Sequence, residues 1–208
     1  MTVLIVDYGR GNLFSLGQAL RHLGVPHEVS SDPQKLAEAE RIIFPGVGAY
    51  GDAMRELRER GLVEPFKAAA AKGTPILGIC VGCQLLLRKS EEFGKHDGLD
   101  IIPGAVRRLP EPRADDPAAM RIPNVGWQPI SVHAEGSVLG PAGAGSMYYF
   151  VHSYAPWPEN PEHVTATIEM NGQEVPVAVR RDNLTGVQFH PEKSGPAGLE
   201  LLARFTDT

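Results

Sequence analysis

Only two cysteines, Cys80 and Cys83, occur in 208 residues. That is too few for a disulfide framework, and three positions apart they read as thiols rather than a staple. Positive charge is sparse as well: 20 Lys and Arg stand against 25 Asp and Glu, the net charge is -5, and no Lys/Arg run exceeds two residues. Nucleic acid, which needs concentrated positive charge, is therefore excluded as a partner. The longest apolar stretches are strand-sized, which excludes a membrane span. The start, Met1-Thr2-Val3-Leu4-Ile5-Val6-Asp7, lacks the basic lead and cleavage site of a signal peptide, so the expectation is a soluble cytoplasmic protein. Internal repeats are absent too.

What is present is the composition of a folded chain, 42% hydrophobic and 22% charged, with 23 Gly and 18 Pro for many turns. Its length predicts one domain over 1–208 with a substantial core. Val3-Leu4-Ile5-Val6 reads as a buried strand, and Leu13, Leu16, Leu20 and Leu23 then recur at helical spacing. Arg41-Ile42-Ile43-Phe44 is a second strand stopped by Pro45-Gly46, followed by helical Met54, Leu57, Leu62 and Phe66, interrupted at Gly61. Residues 74–79 form a third strand, and Gln84-Leu85-Leu86-Leu87-Arg88 is predicted to open the helix behind it.

Strands alternating with helices imply an α/β fold with a central, mostly parallel sheet. Beyond it, 105–109, 148–151, 164–168, 175–179 and 184–189 are strand-like with short turns, and are expected to extend the sheet antiparallel, making it mixed. The Pro-rich, charged stretch 110–117 reads as an exposed loop.

Gly78-Ile79-Cys80-Val81-Gly82 has the spacing of a nucleophile elbow, a sharp strand-to-helix turn that presents a reactive side chain; any Cβ at its glycines would push strand and helix apart. A helix starting just past Cys80 favours thiolate over thiol, but a helix end alone is too weak and a histidine is needed. His190-Pro191-Glu192 offers one. Pro191 biases the chain towards extended structure, which puts His190 and Glu192 on one side at period two, where the carboxylate can orient the ring. The turn Pro45-Gly46-Val47-Gly48-Ala49-Tyr50-Gly51 has glycines that let backbone N–H groups approach an oxyanion.

Other readings compete for the same residues. Cys80 and Cys83 spell a Cys-x-x-Cys pair, but without a second pair there is no zinc set, and Cys83 fits a helix core. Gly46-x-Gly48-x-x-Gly51 matches a dinucleotide fingerprint in the wrong unit, with no acidic residue at the expected distance. No metal and no cofactor are expected. His22, His27, His96, His133 and His163 read as surface residues, whereas His152 follows an apolar run and fits a structural or a catalytic role. Glu91 and Glu92, by pattern alone, read as a solvated helix end.

Together, Gly78-Ile79-Cys80-Val81-Gly82-Cys83-Gln84 and Gly186-Val187-Gln188-Phe189-His190-Pro191-Glu192 resemble class I (triad) glutamine amidotransferases. Asp7-Tyr8-Gly9-x-Gly11-Asn12-Leu13, residues 45–54, Gly126-Trp127 and Tyr149-Phe150-Val151-His152-Ser153-Tyr154 narrow the likeness, over essentially the whole chain, to glutaminase subunits of imidazole glycerol phosphate synthase. The resemblance implies that Cys80 attacks the side-chain amide of glutamine, His190 shuttles protons and Glu192 orients it, so that a glutamyl thioester is hydrolysed to glutamate and ammonia. It implies an oxyanion site at Val47, Gly48 and Val81, and glutamine contacts at Gln84, Glu92, Ser153 and Tyr154. It also implies a heterodimer with a separate (βα)8-barrel cyclase subunit, met by Asn12, Trp127, Tyr149 and Lys193, which uses the ammonia to make imidazole glycerol phosphate and aminoimidazole carboxamide ribotide in histidine biosynthesis. Val81 and Cys83 stand where the family usually has Leu and Met, and Arg121-Ile122-Pro123-Asn124 where Lys-x-Pro-His is common. A glutaminase subunit of anthranilate or aminodeoxychorismate synthase, a stand-alone γ-glutamyl hydrolase, and a non-catalytic Cys-x-x-Cys module are the rival readings.

Overall fold

The computed structural model describes residues 1–112, 119–133, 138–140 and 145–207. The first half is built from β1 (Val3–Val6), α1 (Leu13–His22), β2 (His27–Ser30), α2 (Pro33–Glu38), β3 (Arg41–Gly46), α3 (Tyr50–Glu59), α4 (Val63–Lys72), β4 (Ile76–Cys80) and α5 (Val81–Leu85). The second half adds β5 (Leu87–Ser90), β6 (His96–Asp97), β7 (Ile102–Arg108), β8 (Asn124–Pro129), β9 (Ser131–Val132), β10 (Met147–His152), β11 (Tyr154–Pro158), β12 (Val164–Met170), β13 (Gln173–Arg181), β14 (Leu184–Val187) and α6 (Gly195–Asp207).

Among the described residues the largest sheet has eight strands in the order β2-β1-β3-β4-β14-β13-β12-β9. It is parallel from β2 to β14 and antiparallel beyond. The mixed α/β architecture expected from the alternation is present. β1, β3, β4 and β14 are buried at every residue, as strands inside a covered sheet are, and β1, β3 and β4 read as apolar runs for that reason. β2 is an edge strand of mixed burial, His-Glu-Val-Ser, and carries no apolar run to announce it.

Several expectations fail for local reasons. β3 does not stop before Pro45. It runs through Gly46 beside β4, while β1 pairs with it only as far as Ile43, so no neighbour on that side requires the N–H that proline lacks. The helix predicted to open at Gln84 is instead the end of a five-residue helix, and Leu87 begins a strand. Strands 102–108 and 147–152 do not join the main sheet: β7 belongs to a four-stranded sheet β11-β7-β5-β6, and β10 pairs with β8. Both alternate in burial, as strands covered on one face do. Of the expected loop 110–117, residues 113–117 lie outside the described residues; Glu111 and Pro112 are exposed.

Helix α5 sits against the sheet with almost no clearance. A Cβ on Gly46 of β3 would lie 2.5 Å from Gly82 N, one on Gly78 of β4 would lie 2.8 Å from Gly82 O, and one on Gly186 of β14 would lie 2.5 Å from Cys83 Sγ. At Gly82 itself a Cβ would run into the backbone carbonyl of Phe44. The elbow glycines are needed for close approach, as expected, although Gly82 is pressed against the neighbouring strand.

These contacts differ in what can yield. Gly186→Ala meets a side chain and is expected to lose about 1–3 kcal/mol, part of it recovered when Cys83→Ala removes the sulfur. Gly82→Ala meets backbone and is expected to lose more, with no recovery from Cys83→Ala. Urea unfolding of both double-mutant cycles checks this; equal coupling in the two would contradict it.

Candidate active site

The parallel strands place the candidate residues before any side chain is considered. Gly46 is the register partner of Cys80, so Val47 and Gly48 leave β3 directly beside the cysteine. Val187 pairs with Ile79 on the other side, so the chain leaving β14 reaches His190 at the same end of the sheet. Cys80 adopts φ 56° and ψ -114°, a conformation that costs a non-glycine residue about 1–3 kcal/mol and turns its side chain out of the strand.

His190 caps a 3-10 turn over Pro191–Lys193. Its own backbone is extended, as the following proline demands, but the contact with Glu192 is made by the turn rather than by a period-two strand. Nδ1 of His190 lies 2.9 Å from Glu192 Oε1, and both side chains are almost fully buried. Asn12 donates to the same oxygen at 3.3 Å. The His190 N–H donates to the Tyr149 carbonyl, and Ser194, its hydroxyl donating to the His190 carbonyl, accepts the Tyr149 N–H at 3.0 Å, so β10 and the turn hold the ring between them. Nε2 is buried with no hydrogen-bond partner among the described residues, and the Cys80 sulfur acts on the ring beside it. Burial alone would pull the imidazole down. The contact with Cys80 and the bond to Glu192, with the charges of both, outweigh burial and raise His190 to about 10, so the ring is protonated near neutrality.

A cavity of about 320 Å³ opens over this pair. Its lining includes Cys80, His190, Val47, Gly48, Val81, Gln84, Glu92, Ser153 and Tyr154, which are all the expected nucleophile, base, oxyanion and glutamine residues; Glu192 stands behind His190. Glu92 is not at a helix end. It follows β5, and its Oε2 accepts the N–H of Tyr50, the first residue of α3, at 2.7 Å. The four expected interface residues lie together. Trp127 and Tyr149 are cross-strand partners with ring centroids 6.0 Å apart, Lys193 Nζ is 5.7 Å from the Tyr149 ring centroid, and Asn12 joins through Glu192. Val125, Met147 and Val151 share the exposed face of the β8–β10 ribbon.

His152 is 6% exposed, with Nδ1 2.9 Å from the Tyr154 carbonyl and Nε2 3.0 Å from Asn124 Nδ2. A carbonyl only accepts, so Nδ1 carries the proton and Nε2 takes one from Asn124. Burial pulls this imidazole down to about 4, and it stays neutral. Asn124, Ser194 and Gln188 are residues to which sequence reasoning assigns no role of their own. Gln188 had a signal, a polar residue between Val187 and Phe189 at the end of an internal strand, and it is fully buried. Cys83 is buried with its thiol pushed up by burial first and by Cys80 second. No group of three or more metal-ligating side chains occurs among the described residues, and no helix there is long and apolar enough to cross a membrane.

A histidine whose folded value is depressed binds fewer protons folded than unfolded between about pH 6.5 and 4, so its contribution is full above that window and lost as pH falls through it. Stability is expected to drop by up to about 3 kcal/mol on that account, and His152→Gln to flatten the drop. Urea midpoints from pH 7 to 4 measure it; an unchanged slope in the variant would contradict the assignment.

Residues 4–208 match the family described as Glutamine amidotransferase class-I. The Imidazole glycerol phosphate synthase subunit HisH of Moorella thermoacetica is 46% identical over 203 residues, 98% of this chain and 93% of the relative. The protein of the same name from Geobacillus thermodenitrificans is 44% identical over 206 residues, covering 99% and 95%. Among solved structures, PurLQS from Thermotoga maritima superposes with a TM-score of 0.73 at 20% identity, covering 99% of this chain and 97% of that one. A structure described as a glutamine amidotransferase superposes at 0.71 and 20% identity, covering 99% of each, and both share the fold. The chain belongs to the class-I glutamine amidotransferase family and, within it, to the HisH subunits of imidazole glycerol phosphate synthase.

Proposed function

We propose that this chain hydrolyses glutamine to glutamate and ammonia and passes the ammonia to a separate (βα)8-barrel cyclase subunit, in a cytoplasmic heterodimer of histidine biosynthesis. The observation that carries the chemistry is the meeting of Cys80, His190 and the Val47–Gly48 backbone in one cavity, with Glu192 behind the imidazole. The relatives named HisH support the pathway.

In this mechanism Gln84, Glu92, Ser153 and Tyr154 hold the amino-acid end of glutamine while its side-chain amide carbon faces Cys80. The sulfur attacks that carbon, and the carbonyl electrons move onto oxygen, where N–H groups of Val47, Gly48 and Val81 stabilise the charge. His190 gives its proton to the amide nitrogen, the C–N bond breaks and ammonia leaves a glutamyl thioester. Water then attacks the thioester with His190 taking a proton, and glutamate departs as sulfur recovers its electron pair. Glu192 keeps the ring oriented and stabilises its charged form.

The exposed ring of Trp127, the Tyr149–Lys193 pair and Asn12 form the docking face for the cyclase. Their closeness to Glu192 links docking to the triad, because the turn that carries Lys193 also carries Glu192.

Glutamate release is the test. The wild-type chain is expected to be weak alone and to rise with the cyclase subunit and its nucleotide ligand, whereas Cys80→Ala loses at least about a thousandfold in either state. Equal rates for the two proteins would sink the catalytic assignment; activity indifferent to the cyclase would sink the pathway alone. Trp127→Ala is expected to weaken the complex by about 2–4 kcal/mol, read by calorimetric titration with the cyclase, while the variant keeps the wild-type melting temperature. Wild-type affinity in that variant would remove Trp127 from the interface.

A further inference from the structure

Cys80 has a second polar neighbour that the mechanism above does not use. Gln188 follows β14 with its side chain fully buried, and its Nε2 stands 3.7 Å from Cys80 Sγ in hydrogen-bonding geometry. Its Oε1 accepts from Gln84 Nε2 at 2.9 Å, and the same Gln84 nitrogen donates to the Tyr154 carbonyl at 3.2 Å.

The far end of this chain sets its direction. A backbone carbonyl can only accept, so Gln84 must turn its NH2 towards Tyr154. That NH2 also reaches Gln188, whose oxygen must therefore face it, and the Gln188 NH2 is left for the sulfur. Reversing the Gln188 amide alone would set NH2 against NH2 and oxygen against sulfur. Reversing both amides would set the Gln84 oxygen against the Tyr154 carbonyl. Val187 and Phe189, on either side, are both fully buried, so a primary amide here gives up its hydration and needs partners in return.

We propose that Gln188 is a catalytic residue that donates an N–H to the sulfur of Cys80 and favours its thiolate, and that Gln84 and the Tyr154 carbonyl position it. The donor acts twice in the reaction, on the attacking thiolate and again on the thiolate that leaves when the thioester breaks. A hydrogen bond to a charged acceptor is stronger than one to a neutral group, so the bond favours the ionised sulfur over both thiol and thioester. The inference rests on the reading of Cys80 as the nucleophile.

The test uses the full-length chain, with folding checked by thermal melting. Thiolate ultraviolet absorbance is taken as the difference between each protein and its own Cys80→Ala counterpart, for wild type, Gln188→Met and Gln188→Glu. Gln188→Met, which keeps the side-chain length and removes the donor, is expected to lower the thiolate-to-thiol ratio near neutrality about tenfold. Gln188→Glu, which puts an acceptor in its place, is expected to lower it further. Alkylation of Cys80 by iodoacetamide should slow in parallel, and the gap should close at alkaline pH, where the sulfur is ionised in every variant. A gap that persists unchanged at alkaline pH would mark altered access rather than a lost donor and would overturn the proposal, as would a wild-type ratio in Gln188→Met. Should both variants fail to fold, the wild-type chain still decides: the side-chain amide protons of a selectively labelled Gln188 must shift when Cys80→Ser replaces the sulfur, and unchanged resonances overturn the assignment. Glutamine turnover that survives Cys80→Ala would instead defeat the underlying reading, so the two failures are distinguishable.

Discussion

The structure turns on how closely α5 lies against the sheet. Four glycines at the contact, Gly46, Gly78, Gly82 and Gly186, remove the side chains that would otherwise hold the helix away. Three of them sit on adjacent parallel strands. Because α5 starts directly at the end of β4, the chain has no room for a gradual turn, and Cys80 takes up the bend in its own φ and ψ. The strained residue and the turn of its sulfur into the cavity have one origin. The same contact puts Cys80 level with Gly46, so that the Val47–Gly48 backbone begins where the sulfur ends.

Two buried histidines near this point show how partners outweigh burial. His190 and His152 both lose hydration, which on its own disfavours the charged ring. His190 faces a carboxylate on one side and the Cys80 sulfur on the other, the negative charge of each favours the cation, and it rises. His152 lies between a carbonyl and an amide, which offer no net charge, and it falls. One ring is fitted to carry a proton at neutral pH and the other to stay neutral as part of the wall. The backbone bonds that hold them run through one ribbon, for β10 supplies His152 directly and accepts the N–H of His190 at Tyr149.

The outer face of that ribbon is apolar and exposed, while its inner face carries Tyr148, Phe150 and His152 into the core. Two-residue periodicity thus gives a single short strand pair two tasks, closing the cavity behind His152 and presenting Trp127 and Tyr149 outward. The 3-10 turn beside it carries Glu192 inward and Lys193 outward in consecutive residues. The buried carboxylate and the exposed surface therefore stand one peptide bond apart.

Much of this was legible in the residues because the physics behind it is local. Continuous apolar runs marked β1, β3 and β4, helical spacing marked α1, α3 and α4, and the glycines around Cys80 announced a sharp turn with no room for side chains. The helix expected at Gln84 was misjudged because Leu85-Leu86-Leu87 is equally apolar in a short helix and in the strand that follows, and periodicity cannot separate them. The solvated reading of Glu92 failed because its partner, the Tyr50 N–H, is distant in sequence. The sequence by itself determined which groups could do chemistry and that the core is a mixed α/β sheet. Only the tertiary structure decided that strand ends separated by most of the chain converge on one cavity, that β7 and β10 form sheets of their own, and that Gln188 faces the sulfur. Strand order and hydrogen-bond direction depend on pairings between distant residues, and the spacing of residues along the chain does not encode them.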